Sequence, residues 1–356
     1  MIESTDRRQN WLGVIATVIC IGILWALLMP SINTRGVTAN GRRTQCTNNL
    51  KNLALATLTF EIVKKVYPGY QAPFGLAEDG SAKLGSWAVA LLPFLEQQTL
   101  RDYWDDQTFN DDWVEAVRDG NKGALELFYP QISLFKCPAD VMQKSKYAGT
   151  SYAANAGFHL MPRDPALDLD WYAKAADESE RSTISQRSAN GIFVNRLGAE
   201  VIDPATGKVV QVFGNSPAVS SSDVADGTSM TILFAESCNN LSWQNFSIVD
   251  ESARSKLGVV WLYAGATASA GRPQPLLVTS TMKFNDRKMF VGSGPTRARP
   301  SAHHVQTVNV AMADGSTRAI DENIDYHVYQ SLMAPLDGQS DIPNLQYKLR
   351  EDDFVK

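Results

Sequence analysis

Residues 11–30 read WLGVIATVICIGILWALLMP, twenty positions without one charged side chain. A helix of that length rises about 30 Å, enough to cross the hydrocarbon core of a bilayer. No other run in the chain is comparable. A secretory signal has a shorter apolar stretch of about 7–15 residues and ends at a small-residue cleavage site. This stretch ends instead in Met29-Pro30-Ser31. Nor does it keep the polar face of an amphipathic core helix. The expectation is a soluble body on one uncleaved N-terminal anchor, residues 11–30, behind a short flank, residues 1–10. Trp11 falls where indoles favour the headgroup layer. Charge leaves the topology open. Arg7 and Arg8 precede the run, Arg35, Arg42, Arg43 and Lys51 follow it, and the positive-inside rule loses force ahead of a long translocated domain.

The rest of the chain is long enough for one large domain or two ordinary ones. A net charge of −5 and the lack of a basic block argue against nucleic-acid binding. Of the four cysteines, Cys20 lies in the apolar run and reads as a small apolar residue. Cys46, Cys137 and Cys238 are far apart, and no Cys-x-x-Cys occurs, which disfavours a zinc site built on paired thiolates. A body outside the cytoplasm permits a disulfide. Cys46–Cys137 is the preferred pair, with three buried thiols as the alternative.

Residues 31–43 are polar with two glycines, a loop or a frayed helix. From Thr44 to Val66, Leu50, Leu53, Ala54, Thr57, Leu58 and Ile62 recur at three- and four-residue spacing, which predicts an amphipathic helix stopped by Pro68-Gly69. Residues 31–66 thus form a linker and helix, and with the anchor they read as one rod loosened in the middle. Residues 86–104 predict a second helical stretch interrupted at Pro93, and 111–129 a polar helical connection. Beyond Pro130, short apolar runs alternate with turn residues and read as strands: ISLFKCP, GIFVNRL, KVVQVFG, MTILFAES, GVVWLYA, PLLVTST and VNVAMADGSTRAI. Asp314-Gly315 in the last of them signals a hairpin. Residues 162–190 read as a charged surface insertion in a globular domain spanning 67–336, and 337–356 as a polar, peripheral tail.

Several short motifs occur in order: the anchor ending Leu-Leu-Met-Pro, Arg42-Arg43-Thr44-Gln45-Cys46-Thr47-Asn48-Asn49-Leu50-Lys51, and Ser86-Trp87 with Leu91-Leu92-Pro93-Phe94-Leu95-Glu96-Gln97. They are followed by Lys136-Cys137-Pro138-Ala139-Asp140, Thr150-Ser151-Tyr152 with Asn155, Asp226-Gly227-Thr228-Ser229, and His304 nine residues before Asp314-Gly315. This ordered set, over roughly residues 20–335, resembles a bacterial prepilin-like family of unknown function with a prepilin-type N-terminal segment and a C-terminal His-x9-Asp-Gly signature. The resemblance implies an α+β fold in which a long N-terminal helix, its first half transmembrane, packs on a β-rich domain. It also implies relatedness to type IV pilins and type II secretion pseudopilins, an N terminus in the cytoplasm, and a body held outside the inner membrane. The N terminus departs from the family's Gly-Phe-Thr-Leu-x-Glu-type processing site: aligned on Pro30, Arg8 replaces the glycine, Gln9 the phenylalanine and Gly13 the glutamate. In pilins that buried glutamate pairs with a neighbouring subunit's N terminus, so its loss argues against processing and ordinary filament assembly.

Motifs for chemistry are scarce. His-Glu-x-x-His, Gly-x-Ser-x-Gly and the phosphate loop are all missing. Ser280-Thr281-Met282-Lys283 fits Ser-x-x-Lys, the pattern of an anchored acyl-enzyme hydrolase, but Lys-Thr-Gly is missing and the stretch reads as a strand. His304 is expected to bond a backbone group and fix the approach to the Asp314-Gly315 turn, with Asp314 accepting from its own turn amides. Adjacent His303 and His304 on a strand would point to opposite faces. A sharper reading gives Asp314, Asp321 and Asp325, with Glu322 between them, to calcium. Trp87, Trp104, Trp243 and Trp261 read as core, and only exposed aromatics would make a sugar platform. The leading expectation is a non-enzymatic, membrane-anchored structural or assembly protein that needs no cofactor. Its partners would be the bilayer and like subunits. An envelope-glycan binding module is the alternative.

Overall fold

The structure is a computed structural model. It describes residues 11, 14–21, 34–76, 82–105, 130–140, 149–159, 188–196, 200–202, 209–211, 218–243, 257–262, 265–267, 273–275, 298–304, 306–340 and 348–354. The chain divides into two compact units, Met1–Arg42 and Arg43–Lys356. In the first, residues 14–21 are helical and their side chains exposed. Among the described residues no helix is long and apolar enough to cross a membrane. Most of the second half of the apolar run, like the 111–129 connection and the 162–187 part of the insertion, lies outside them.

The architecture is mixed α+β. Helix α1 runs Thr34–Lys64, ten residues before the start that periodicity predicts. Its first turns carry no apolar pattern to betray them. From Cys46 on, Leu50, Leu53, Ala54 and Thr57 are buried at helical spacing, and the Thr57 hydroxyl donates to the Leu53 carbonyl at 2.9 Å. The helix ends where Lys65 turns left-handed at φ 63°, just ahead of Pro68-Gly69. A hairpin follows, β1 (Gln71–Leu76) with β2 (Ala82–Ser86). Ser86 caps helix α2 (Trp87–Leu91) by accepting from the Ala88 amide at 3.1 Å. Pro93 sits in a 3₁₀ turn, Leu92–Leu95, before α3 (Gln98–Asp105).

One five-stranded sheet organises the body. Its strands are β3 (Gly149–His159), β6 (Ile232–Ser242), β7 (Gly258–Leu262), β10 (Thr307–Met312) and β11 (Thr317–Asp321). Besides the β1–β2 hairpin, two short pairs lie outside it among the described residues, β4 (Glu200–Ile202) with β5 (Val209–Gln211), and β8 (Gly265–Thr267) with β9 (Pro273–Pro275). The spatial order is β11-β10-β6-β3-β7, antiparallel except for the parallel pairing of β3 with β7. Both faces are covered. On one, Tyr152, Ala154 and Ala156 of β3 share a core with Leu50, Leu53 and Ala54 of α1 and with Trp87. On the other, Ala153, Phe158 and Trp261 share a core with Val328, Tyr329, Leu332 and Met333 of helix α4 (Tyr326–Met333). The switch of Phe158 to the second face follows a register shift between Asn155 and Phe158. Gly157, at φ 73°, makes the bend, and it lies so close to Gly191 that a Cβ on Gly191 would stand 2.3 Å from its Cα.

Two expected strands are not strands. ISLFKCP forms a 3₁₀ turn, Ser133–Phe135, because Pro138 and the turn at Cys137–Asp140 cut the run short. GIFVNRL makes only an isolated bridge from Asn195 to Gln71. The described part of the 337–356 tail is held down rather than peripheral. Phe354 is buried in the α4 core under the Arg318 guanidinium, which also bridges Glu351 at 2.8 Å.

Asp337 opens that tail. Burial and the Asp226 carboxylate, which accepts the Asp337 amide, push its carboxyl up to about 7. The folded value lies above the ordinary one. Its stabilising contribution is therefore complete below about pH 4 and lost as pH rises through about 7. Asp337→Asn mimics the neutral form, so it is expected to raise Tm at about pH 8 by roughly 2–4 °C and to leave it unchanged near pH 3.5. Thermal melts at the two pH values check this.

Candidate functional site

Four separated segments converge on one face of the sheet. Cys46 and Asn49 lie one turn apart on α1, and the Asn49 side chain donates to the Lys136 carbonyl at 2.8 Å. This seats the turn that carries Cys137 and Asp140, closed by the Asp140 amide on the Cys137 carbonyl at 2.9 Å. Cys46 and Cys137 form a disulfide with Cα atoms 4.8 Å apart. Strand β6 supplies Glu236 and, two residues on, Cys238. The segment before β10 supplies His303 and His304. It is laid along β6 by the Ser301 amide on the Glu236 carbonyl and the Cys238 amide on the Ser301 hydroxyl, both 2.9 Å.

Glu236 is the centre of the cluster, and only 1% of it is exposed. Its Oε2 accepts the Asn309 backbone amide at 2.8 Å, and its Oε1 accepts the Asn309 side-chain amide at 3.0 Å. His304 Nε2 lies 3.1 Å from the same Oε1, and Cys137 Sγ is 3.6 Å from both. A second acid–imidazole pair lies beside it: Asp140 Oδ1 and His303 Nε2 at 3.2 Å, with the Ser151 hydroxyl donating to Asp140 Oδ2 at 2.9 Å. Both carboxylates act on neighbouring groups. Burial, then Asp140 and Glu236, push the Cys238 thiol far up. Burial, then Glu236, does the same to the Tyr152 hydroxyl. Cys238 is therefore held as a neutral thiol, which is a poor nucleophile.

His304 thus meets a carboxylate, a partner the sequence did not suggest. It does not adjoin Asp314 either. Strand β10 lies between them, about 20 Å of extended chain, so the nine-residue spacing reaches from one end of a strand to the other. His303 and His304 precede that strand in a bend and serve neighbouring acids. Asp314, Asp321 and Asp325, the acids offered for calcium, lie in separate turns. Asp314 accepts the Ser316 amide in its turn, Asp321 the Asn323 amide, and Asp325 the His327 amide as the cap of α4, each at 2.8 Å. The three acids serve three local turns. Among the described residues one group of metal-ligating residue types converges, Cys46, Cys137, Glu236 and His304, whose Sγ, carboxylate and imidazole atoms all lie within 4.8 Å of one another, with the two sulfurs joined to each other. Trp87, Trp104, Trp243 and Trp261 are all buried, so none is a sugar platform. Ser280 and Lys283 lie outside the described residues.

The sequence singled out Cys46, Cys137 and His304 and carried Asp140 only as the end of the Lys136–Asp140 motif; it did not point to Glu236 or Asn309. The available signal for Glu236 was a lone acid inside the apolar run MTILFAES, since an unpaired charge in a buried strand is costly.

A family model described as a protein of unknown function, DUF1559, matches residues 39–327. The chain belongs to this family. Every residue of the cluster falls within the DUF1559 match, and the apolar run lies before it. No curated protein and no solved structure matches the chain.

Proposed function

We propose that this DUF1559 protein is a membrane-anchored, non-catalytic structural or assembly component related to pilins and pseudopilins, with its N terminus in the cytoplasm and its body outside the inner membrane. The observation that carries the reading is the charge-free run of residues 11–30. Further support comes from α1. One face of it belongs to the core, yet it leaves Leu55, Ile62 and Val63 exposed at 47%, 63% and 59%, an apolar strip suited to a packed neighbour. The buried disulfide agrees with an oxidising compartment.

Carbonate-washed membranes test the anchor. The full-length protein is expected to stay in the pellet, and deletion of residues 11–30 to release it. Recovery of the intact chain in the soluble fraction overturns the reading. Mass spectrometry of the mature N terminus separates a plain anchor from a processed pilin, and a start at Met1 is expected. Oxidative cross-linking through Cys20 tests whether anchors pack side by side.

A further inference from the structure

We propose that reduction of the Cys46–Cys137 bond converts the same four residues into a tetrahedral zinc site, with Cys46 and Cys137 thiolates, His304 Nε2 and Glu236 Oε1 as ligands. The pair of cysteines then alternates between a covalent clip and a metal centre.

The geometry is nearly assembled. Zinc bonds of about 2.0–2.3 Å to nitrogen, oxygen and sulfur give a tetrahedron with edges of roughly 3.3–3.8 Å. His304 Nε2 to Glu236 Oε1 is 3.1 Å, and Cys137 Sγ stands 3.6 Å from each of them. The two sulfurs must part, which breaking their bond allows, and Cys46 Sγ, already within 4.8 Å of the other ligand atoms, must settle at the fourth corner. Two thiolates, an imidazole and a carboxylate form a borderline-soft set that suits Zn²⁺ over Mg²⁺ or Ca²⁺. The outer partners are in place: Asn309 holds the carboxylate through its backbone and side-chain amides, as supporting groups commonly hold zinc ligands. A divalent ion also offsets the charge of a carboxylate and two thiolates in an interior where Glu236 is 1% and Cys46 0% exposed. Cys238 stays outside the set.

The chemistry balances with an external dithiol as reductant. Its thiolate attacks Sγ of Cys137, the less buried residue of the two, and the Cys46 thiolate leaves. The second thiol resolves the mixed disulfide and frees Cys137. Two electrons pass to the cysteines, and the dithiol becomes a disulfide. Zn²⁺ then displaces the two thiol protons. Oxidation by a disulfide donor reverses the sequence and expels the ion.

The test uses the full chain, oxidised or reduced with a phosphine, and Zn²⁺ or Co²⁺ alone as probe. The reduced protein is expected to take up one ion per chain. The Co²⁺ form should show thiolate charge-transfer and tetrahedral d–d absorption, and zinc-edge X-ray absorption should show two sulfur and two lighter ligands. The oxidised protein should take up none at this site. Cys238→Ala should bind as the parent does, and His304→Ala should bind at least about tenfold more weakly, the low end of the loss typical for removing even an outer partner of a zinc ligand. No uptake by the reduced parent, a shell without two sulfurs, or loss of binding in Cys238→Ala overturns the proposal. The spectra of the parent decide the question even if His304→Ala does not fold.

Discussion

Replacing Cys46 and Cys137 together by alanine is expected to destabilise the body by about 4 kcal/mol and lower Tm by roughly 10 °C. The bond joins positions 91 residues apart. It closes a large loop that the unfolded chain would otherwise explore, and loop-closure entropy grows with the logarithm of that length. The bond also ties α1 to the turn that carries Asp140, so its loss loosens the base of the cluster as well as enlarging the unfolded ensemble. Urea titration of the parent and the double variant measures the difference, with a lower midpoint expected. A loss below about 1 kcal/mol contradicts the entropy account.

The second large effect is expected at Asn155. This side chain is fully buried in β3. Its amide nitrogen donates to the Ile232 carbonyl at 2.8 Å and to the Met333 carbonyl at 2.7 Å, and its oxygen accepts the Gly157 amide at 3.0 Å. One residue thereby joins β3, the start of β6 and the end of α4, and it steadies the bend at Gly157. Asn155→Asp keeps the shape and removes the donors, so a carboxylate would face two carbonyl oxygens in the interior. The cost is expected to be about 4 kcal/mol, against about 2 kcal/mol for Asn155→Ala, which leaves groups unpaired but adds no charge. The aspartate variant should recover part of its stability in acid, where the introduced carboxyl is neutral. Urea midpoints at about pH 4 and about pH 8 give the comparison. Equal midpoints for the aspartate and alanine variants at the higher pH would argue against the pairing described.

How far the sequence could be read depended on which signals it carries. The apolar spacing from Leu50 to Leu58 announces α1, because one face of that helix is core. The polar turns from Thr34 onward carry no such spacing and stay silent. Asp314-Gly315 between two alternating runs announces the β10–β11 hairpin, and Gly315 takes φ 84° there. Strand β3 was missed entirely. Its sequence GTSYAANAGFH is rich in glycine, alanine and asparagine, which strands generally avoid, and its place comes from tertiary fit between two covered faces. In the cluster, Cys46, Cys137 and His304 stood out as rare residue types. Glu236, Asp140 and Asn309 are common ones, and only the pairing of β6 with β10 and the turn after Phe135 bring them together. Asn155 appeared as part of a short motif, but its three bonding partners lie in segments that no local pattern connects.

The strand order has a consequence for synthesis. The Asn155 amide waits for a carbonyl 178 positions further on, and at about 5–20 residues per second a ribosome needs roughly 10–35 s to deliver it. The start of β6 arrives 77 positions on, and until then β3 has no neighbour in the sheet; the face that α4 covers stays open for the whole interval, so the body cannot close segment by segment as it emerges. A chain that stays open this long remains threadable, which is the condition a polypeptide must meet to be passed through a membrane before it folds.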